Sequence, residues 1–563
     1  MQQMRAARSY TCYVGLVVIL AFAAAVRLHG IDWDDGLGAH PDERFVVGVA
    51  ESLRWPERMD PLSTAAGFAY GHVLPYLLAA VAGLGRCVGV DVDPLMIGRG
   101  LAALFDVGTV ALTFALGRRV YGEWVGLLAA GLVSLMVVHV QQAHFYTADV
   151  PLAFFTTGAL LLAARLAERG RVLDGLLAGV WAGLALGTKF SAALLMLPLG
   201  AACVAAPGKP RRGWRPGLGM AAGALAAFAL TNPFALISFP AFWRNVAQQA
   251  ALARGVLDVP YTRQFHGTWP YVYPVVQQLR WGMGWPLGLT AFGGLLYAVG
   301  RAVREPARRA EWVMLTWAVP FFAFTGALYV KFPRYLLPLT PVLAIYGARW
   351  LLQIWHRPGL CSRVFTCRLL IRNLLIVFVL AGSLLRCLAF LNLYRFTHPW
   401  LAASRWFAVH VPQRAVIAIE QWDHPLPVNA TGYDVRELPI FDEDGPEKWS
   451  VMEETLAAAE YVVVASRRGH ATLARWPERY PRTATYYRRL FRGELGFEPV
   501  ACFGRYPRLG PLALVDDPTA GLGFSLPGQC RPEAPLVLRL GRLDESFVVY
   551  DHPQVVVLRR GES

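Results

Sequence analysis

Charge is scarce in this chain. Of its 563 residues 17% are charged and 55% hydrophobic, and the mean hydropathy is +0.38. A soluble protein of this length would carry about 25% charged residues over several domains, so that class is excluded. The eight cysteines include no CxxC pair and no Cys/His spacing suited to zinc. There is no glycine-rich nucleotide loop, no internal repeat and no low-complexity tract. Each of these absences removes a common basis for function.

What the chain has instead is long apolar runs. Stretches of roughly 17–25 residues with almost no charge recur from Tyr10 to about Leu391, the length that crosses a bilayer core. Beyond Tyr394 no comparable run appears. The expected fold class is mainly α: a polytopic transmembrane bundle at 1–394 followed by a soluble α/β domain at 395–563. Spans are expected at 10–28, 95–117, 123–141, 151–165, 172–188, 190–206, 217–236, 284–300, 311–329, 336–353 and 373–391, about eleven in all.

The formal net charge of +15 does not point to nucleic acid, because it is not gathered on a folded domain. It sits in short clusters at 118–119, 165–171, 209–215, 301–309 and 357–372. With the N-terminus inside, every cluster falls on the cytoplasmic side, and the soluble domain lands outside. Arg5 and Arg8 precede the first run, which lacks a small-residue cleavage site and reads as a retained anchor. The apolar segment 70–90 would invert every later loop if it spanned, so it is expected to lie at the membrane surface. Residues 29–94 then form an outer loop far longer than a connector needs. A second outer segment, 237–281, is rich in Trp, Tyr and Pro ("HGTWPYVYP"), which suits the bilayer interface or stacking on a sugar or lipid.

The other residues are read against this topology. Cys12, Cys87, Cys203 and Cys387 are expected to pack within or beside apolar runs. Cys361 and Cys367 fall in a cytoplasmic loop, where a disulfide is not expected, and Cys502 and Cys530 can bridge if their domain is outside. In the C-terminal domain "RAVIAIE", "AEYVVVAS" and "SFVVYDHPQVVVLRR" read as strands, and "KWSVMEETLAAA" and "TATYYRRLF" as helices.

Three groups of polar residues face the outer side. In "HPDERFVV", Pro41 followed by Asp42 and Glu43 is a helix start, and the same position would hold an ionised carboxylate suited to act as a general base. Asp32, Asp34 and Asp35 share this loop, and pattern alone does not rank them. In "HVQQAHFYTADVPLAFF", Asp149 either caps the helix containing Pro151 or is a second functional carboxylate. His139 and His144 lie beside it. In "YVKFPRYLLPL", Lys331 and Arg334 stand against the charge bias; they snorkel or bind an anionic phosphate, with Tyr335 as a further donor. Lys189, a lone cation in "LGTKFSAALL", is a functional candidate by its intramembrane position. His144 and Tyr70 are expected to contact substrate. Together the charges point to chemistry on a lipid-linked anionic substrate.

The first loop with Asp-Glu, "TADVPLAFF", "TKFSA" and "KFPRYLLPLTPVLAIYGARWL" resemble the GT-C glycosyltransferases, over roughly residues 10–391. The bacterial relatives of protein O-mannosyltransferases and of the aminoarabinose transferase of lipid A are the branch they resemble. "YPRTATYYRRLFRGELGF" and "SFVVYDHPQVVVLRR" resemble the soluble tail of prokaryotic members. The resemblance implies a bacterial inner-membrane enzyme that takes a sugar from a polyprenyl-phosphate donor outside the cytoplasm and passes it, with inversion, to a lipid, glycan or protein hydroxyl. It implies Asp42 as the base, Glu43 as its support, Asp149 as acceptor-positioning, and Lys331, Arg334 and Lys189 as phosphate ligands. Some members use a divalent metal near these acids and others do not, so a metal is left open. The "HPDE" context departs from the mannosyltransferase form, and no sugar-binding repeat domain is inserted, which leaves the acceptor undefined. The competing reading is a lipid-linked saccharide transporter or flippase, which would need ionisable residues deep in a central cavity. A membrane part serving only to anchor an active soluble domain would not need about eleven spans.

Overall fold

A computed structural model of the chain describes residues 2–63, 68–207, 214–305, 307–353 and 362–561, without the side chains of residues 2–9 and 362–368. Lys209, Arg357 and Cys361, and the side chains of Arg5, Arg8 and Cys367, lie outside the described residues. The helices in chain order are α1 (Gln2–Leu28), α2 (Pro41–Ser52), α3 (Val73–Cys87), α4 (Pro94–Tyr121), α5 (Glu123–Ser134), α6 (Val137–Gln142), α7 (Asp149–Arg169), α8 (Val172–Leu186), α9 (Met196–Ala205) and α10 (Trp214–Thr231). They continue with α11 (Pro233–Ile237), α12 (Phe239–Ala253), α13 (Val272–Gln277), α14 (Trp285–Arg304), α15 (Arg309–Ala327), α16 (Thr340–Gln353), α17 (Ser362–Leu391), α18 (Pro399–His410), α19 (Pro446–Ala458) and α20 (Pro481–Phe491). The chain forms two compact units. One is Met1–Ile31, His40–Arg254 and Pro270–Cys387; the other is Asp32–Ala39, Gly255–Trp269 and Leu388–Ser563.

The first unit is helical. Among the described residues six helical segments are long and apolar enough to cross a membrane, including Tyr10–Leu28, Pro94–Tyr121, Asp149–Arg169 and Pro333–Gln353. Several of the expected spans are interrupted. The run at 123–141 divides into α5 and α6, and the run at 217–236 breaks where Pro233 starts α11, since proline supplies no N–H to continue a helix. The run at 190–206 begins as a 3₁₀ turn, Phe190–Leu195. Segment 70–90 contains α3, which packs on α2 and α4.

Helix ends follow local chemistry. Pro94 opens α4 while the Asp93 carboxylate accepts from Leu95 N–H at 2.9 Å. Gly170, at φ 63°, closes α7 in the left-handed conformation that glycine adopts without strain. Inside the bundle, Gly175, Gly179 and Gly183 recur every fourth residue on α8. A Cβ at each would lie 2.4, 2.0 and 2.4 Å from carbonyl oxygens of α10, so only glycine permits this helix contact.

One buried polar network ties four helices together. Arg27 donates to Asp106 at 2.5 Å, whose other oxygen is 2.5 Å from His139 Nδ1; His139 Nε2 is 2.6 Å from Thr340 Oγ1. This network joins α1, α4, α6 and α16 within apolar surroundings, where an unpaired charge would cost several kcal/mol. Cys12 and Cys387 are buried as expected, whereas Cys203 is half-buried and Cys87 is exposed.

The second unit carries a five-stranded sheet, ordered β2 (Asp434–Leu438), β1 (Val416–Glu420), β3 (Tyr461–Val464), β8 (Val555–Arg560) and β4 (Phe497–Phe503). β1 pairs in parallel with both β2 and β3, and β8 runs antiparallel to β3 and β4. A second sheet holds β5 (Arg508–Leu509), β6 (Leu512–Val515) and β7 (Leu536–Arg539). Both expected helices form, as α19 and α20. The stretch expected as one strand from Ser546 does not: residues Glu545–Phe547 form a 3₁₀ turn and the strand starts only at Val555, after Pro553, which has no N–H to give a ladder. Cys502 and Cys530 form a disulfide.

Candidate functional site

The expected carboxylates and cations converge within the first unit. The N-cap of α2 is His40, without a side-chain cap bond; Asp42 sits in the first turn with its side chain 29% exposed. Asp149 is the first residue of α7, capped by Ala148, and again makes no cap. Both carboxylates turn instead to cations. Arg334 Nη2 lies 3.5 Å from Asp42 Oδ2, and Arg334 Nε lies 3.5 Å from Asp149 Oδ2. Lys189 Nζ donates to Asp149 Oδ1 at 2.7 Å. The Lys189 ammonium is 4.6 Å from the Tyr335 ring centroid, and the Arg334 guanidinium 4.2 Å from that of Phe332, a favourable placement of cations over aromatic faces.

Tyr70 completes the cluster, its hydroxyl close enough to Asp42 to favour the ionised carboxylate. Its position follows from a close backbone approach. A Cβ on Gly71 would lie 1.9 Å from Gly187 O, so glycine is required where Gly71 N–H bonds Thr188 O at 3.1 Å. The Asn232 side chain accepts from His72 N–H at 2.7 Å. These bonds strap the Tyr70 segment beside Lys189. On its other side Phe68 stacks on Phe45 of α2 at 5.7 Å.

Burial acts to raise the Asp42 carboxyl, but His40, Arg334, the Tyr70 hydroxyl and Lys189 together outweigh it and hold it below the usual carboxylate range. Burial and the negative charge of Asp42 push the Tyr70 hydroxyl well up, so it stays a donor.

Tyr70, Asp149, Lys189, Arg334 and Tyr335 line a cavity of about 550 Å³ whose remaining walls are largely apolar, from Leu152, Phe321, Phe324 and Leu328. Asp42 stands beside it through Arg334 and Tyr70. The arrangement can keep one carboxylate ionised and part-exposed while binding an anion with an apolar tail. Arg254, which sequence reasoning missed, also lines the cavity. It follows α12, is exposed, and donates Nε to Ala250 O at 3.1 Å. The signal available was a cation at the end of an amphipathic helix.

Three expected residues are not brought to this cavity. Glu43 is fully buried and clamped by Arg99 at 2.9 and 3.1 Å while accepting from Tyr146 N–H at 2.9 Å. Lys331 is 3% exposed and donates to Tyr329 O at 2.8 Å. His144 lies 2.7 Å from Val140 O and 3.0 Å from His29 O. Among the described residues no group of three or more His, Cys, Asp or Glu gathers as metal ligands. The donor set at the site does not fit a divalent ion either, since Asp42 and Asp149 already face Arg334 and Lys189.

Residues 74–237 match the profile of the dolichyl-phosphate-mannose-protein mannosyltransferase family. No characterised protein sequence matches the chain significantly. Among solved structures, the apo oligosaccharyltransferase of Archaeoglobus fulgidus aligns at TM-score 0.53 and 15% identity over 85% of this chain and 72% of that one. AglB of the same organism, in complex with an inhibitory peptide and a dolichol-phosphate, aligns at TM-score 0.52 and 14% identity with the same coverage. ArnT from Cupriavidus metallidurans, bound to undecaprenyl phosphate, aligns at TM-score 0.43 and 17% identity over 69% of this chain and 72% of that one. The chain therefore has the membrane fold of the GT-C glycosyltransferases.

Proposed function

We propose that this protein is an integral membrane glycosyltransferase that uses a polyprenyl-phosphate-linked sugar on the extracytoplasmic side. The carrying observation is the quartet of Asp42, Asp149, Lys189 and Arg334 at an apolar cavity of about 550 Å³. Two carboxylates and two cations balance, so a bound phosphate needs further positive charge, and Arg254 on the cavity wall supplies it. The apolar walls suit the first isoprene units of a polyprenyl chain. The dolichol-phosphate held by Archaeoglobus AglB, a protein of the same fold, supports a donor of this class.

In the proposed reaction the acceptor hydroxyl attacks the anomeric carbon from the face opposite the phosphate, with inversion. Its proton passes to Asp42, the new C–O bond forms, and the bond from the anomeric carbon to the phosphate oxygen breaks. The polyprenyl phosphate leaves with the electron pair. Lys189, Arg334 and Arg254 stabilise the charge gathered on the departing phosphate, where preformed cations act most strongly. Asp149 holds Lys189 and Arg334 in place. The donor-phosphate role expected of Lys331 passes to Arg254, and Glu43 supports Asp42 indirectly by fixing α2 to α4.

Residues 1–394 would be the catalytic membrane domain, in a bacterial inner membrane with about eleven spans and a cytoplasmic N-terminus. Residues 395–563 would be extracytoplasmic, a placement that suits the disulfide of Cys502 and Cys530. The test is transfer from a synthetic polyprenyl-phosphate sugar by purified Asp42→Asn. Loss of transfer with donor binding intact is the expected result; undiminished transfer removes Asp42 as base.

A further inference from the structure

A second cavity, of about 760 Å³, lies at the other end of α2. It is walled by the last residues of α2, the loop at 53–59, and α3. Ala50, at its edge, is eight residues beyond Asp42 on the same helix, about 12 Å at 1.5 Å per residue. One rigid element thus carries both the carboxylate and this groove.

The groove is built rather than incidental. Arg54 and Arg58 exchange backbone hydrogen bonds at 2.8 Å, closing a tight loop that presents Trp55 at 81% exposure. The Tyr76 hydroxyl donates to Met59 O at 2.8 Å and ties that loop to α3. The floor is small and apolar, with Leu78, Ala79, Ala82 and Gly83. A Cβ on Gly83 would meet no atom within 4 Å, so this face of α3 is open space. Two cations, Arg54 and Arg86, stand against one carboxylate, Glu51, in the lining. Among the described residues neither arginine forms an ion pair; Arg54 donates to the backbone oxygens of Glu51 and Leu53. An exposed tryptophan beside apolar surface belongs at a membrane–water boundary.

We propose that this groove is the acceptor subsite, and that it takes an amphiphile with an apolar body and an anionic headgroup, that is, a membrane lipid or lipid-linked glycan rather than a peptide. This rests on the glycosyltransferase reading above and names the acceptor class for it. The apolar body lies on the alanine-lined floor, Arg54 and Arg86 bind the anionic group, and the hydroxyl to be modified reaches Asp42 along α2. A peptide is disfavoured because each of its residues brings a backbone donor and acceptor that must be satisfied, and the one hydroxyl in the lining, Tyr76, is already engaged.

The experiment is native mass spectrometry of the purified full chain, titrated with dioctanoyl-phosphatidylglycerol, dioctanoyl-phosphatidylcholine, a Ser/Thr-rich peptide and, separately, polyprenyl phosphate. The anionic lipid is expected to bind more tightly than the zwitterionic one. Loss of two charge-assisted contacts in R54Q/R86Q should weaken the anionic lipid by at least about tenfold and leave the zwitterionic one unchanged. Gly83→Trp should block both lipids while polyprenyl phosphate binds as before. Equal binding of the two lipids to the unaltered chain, unchanged lipid binding in both variants, or peptide binding that Gly83→Trp abolishes would each overturn the proposal. None of these readouts needs turnover, so loss of the groove is distinguishable from failure of the transferase reading, which Asp42→Asn tests.

Discussion

Arg334 Nη2 lies 3.5 Å from Asp42 Oδ2, although 292 positions separate the two residues in the chain. The same guanidinium reaches Asp149 through Nε. One arginine thus links the start of α2, the start of α7 and the turn before α16, and its charge, together with His40, the Tyr70 hydroxyl and Lys189, keeps a part-buried Asp42 ionised.

That linkage sets a pH dependence. A carboxyl held below its ordinary value of 3.8 loses its charge only as pH falls through the lowered value. The acid limb of transfer should therefore lie below about pH 4. In Arg334→Gln burial is opposed by fewer charges, and the limb moves upward. The check is the pH profile of kcat/KM for both proteins; an unmoved limb would detach Arg334 from Asp42.

Lys189 and Asp149 should behave as one unit. Lys189→Met leaves Asp149, 5% exposed on its side chain, facing Arg334 alone; Asp149→Asn leaves Lys189 without its closest anion. The double variant should cost less than the sum of the two single ones, with a coupling of roughly 0.5–3 kcal/mol for residues in contact. Thermal unfolding of the three variants measures the stability part, and polyprenyl-phosphate affinity the binding part.

Glu43 should matter for folding. Removing one partner of a buried ion pair costs about 3–5 kcal/mol, because the other charge stays buried. Glu43→Ala strands Arg99, which is fully buried, and should sharply lower the yield of monodisperse protein on size exclusion. Pairing Glu43→Leu with Arg99→Met should recover much of that yield. A normal yield for Glu43→Ala alone would contradict the clamp.

In the second unit burial pushes Glu420 up to about 8, beneath the hydroxyl of Tyr487 at 2.7 Å. The folded chain then keeps a proton that the unfolded chain releases near pH 4.3. Stability contributed by this group is full at low pH and falls as pH rises to about 8. Glu420→Gln mimics the protonated form, so its melting temperature should match the unaltered chain below about pH 4 and exceed it above about pH 8. Parallel curves at both pH values would refute a protonated Glu420.

The disulfide of Cys502 and Cys530 closes a loop of 28 residues. Loop-closure entropy for that length corresponds to roughly 3–4 kcal/mol. Replacing both cysteines by serine should lower the denaturation midpoint of the second unit, read by proteolysis of the full chain, and reductant should lower it only where both cysteines are present.

Much of the architecture is legible in the residues in order. Uncharged runs of bilayer length, basic clusters between them, and the return of period-two patterns after Tyr394 define a helical membrane part and an α/β tail, because hydrophobic length and alternation are local properties. The types of group needed at the site are legible as well: Asp42, Asp149, Lys189 and Arg334 stand out as charges where the apolar pattern does not call for them. What partners each would take was not. The sequence presents Asp42 and Glu43 as neighbours with the same chemistry, yet adjacent helical residues point about 100° apart, so one meets Arg334 and the other is clamped by Arg99. Lys331 and Arg334 are three residues apart, yet Arg334, within the 3₁₀ turn at Pro333–Leu339, lines the cavity while Lys331, before that turn, donates to a backbone carbonyl. The end of an amphipathic helix marks Arg254 as a cation of interest, but only the fold places it on the cavity wall. The sequence by itself determined the membrane fold and the inventory of charges; tertiary structure decided which charges face one another, because ion pairing depends on distances of a few ångströms between segments hundreds of residues apart.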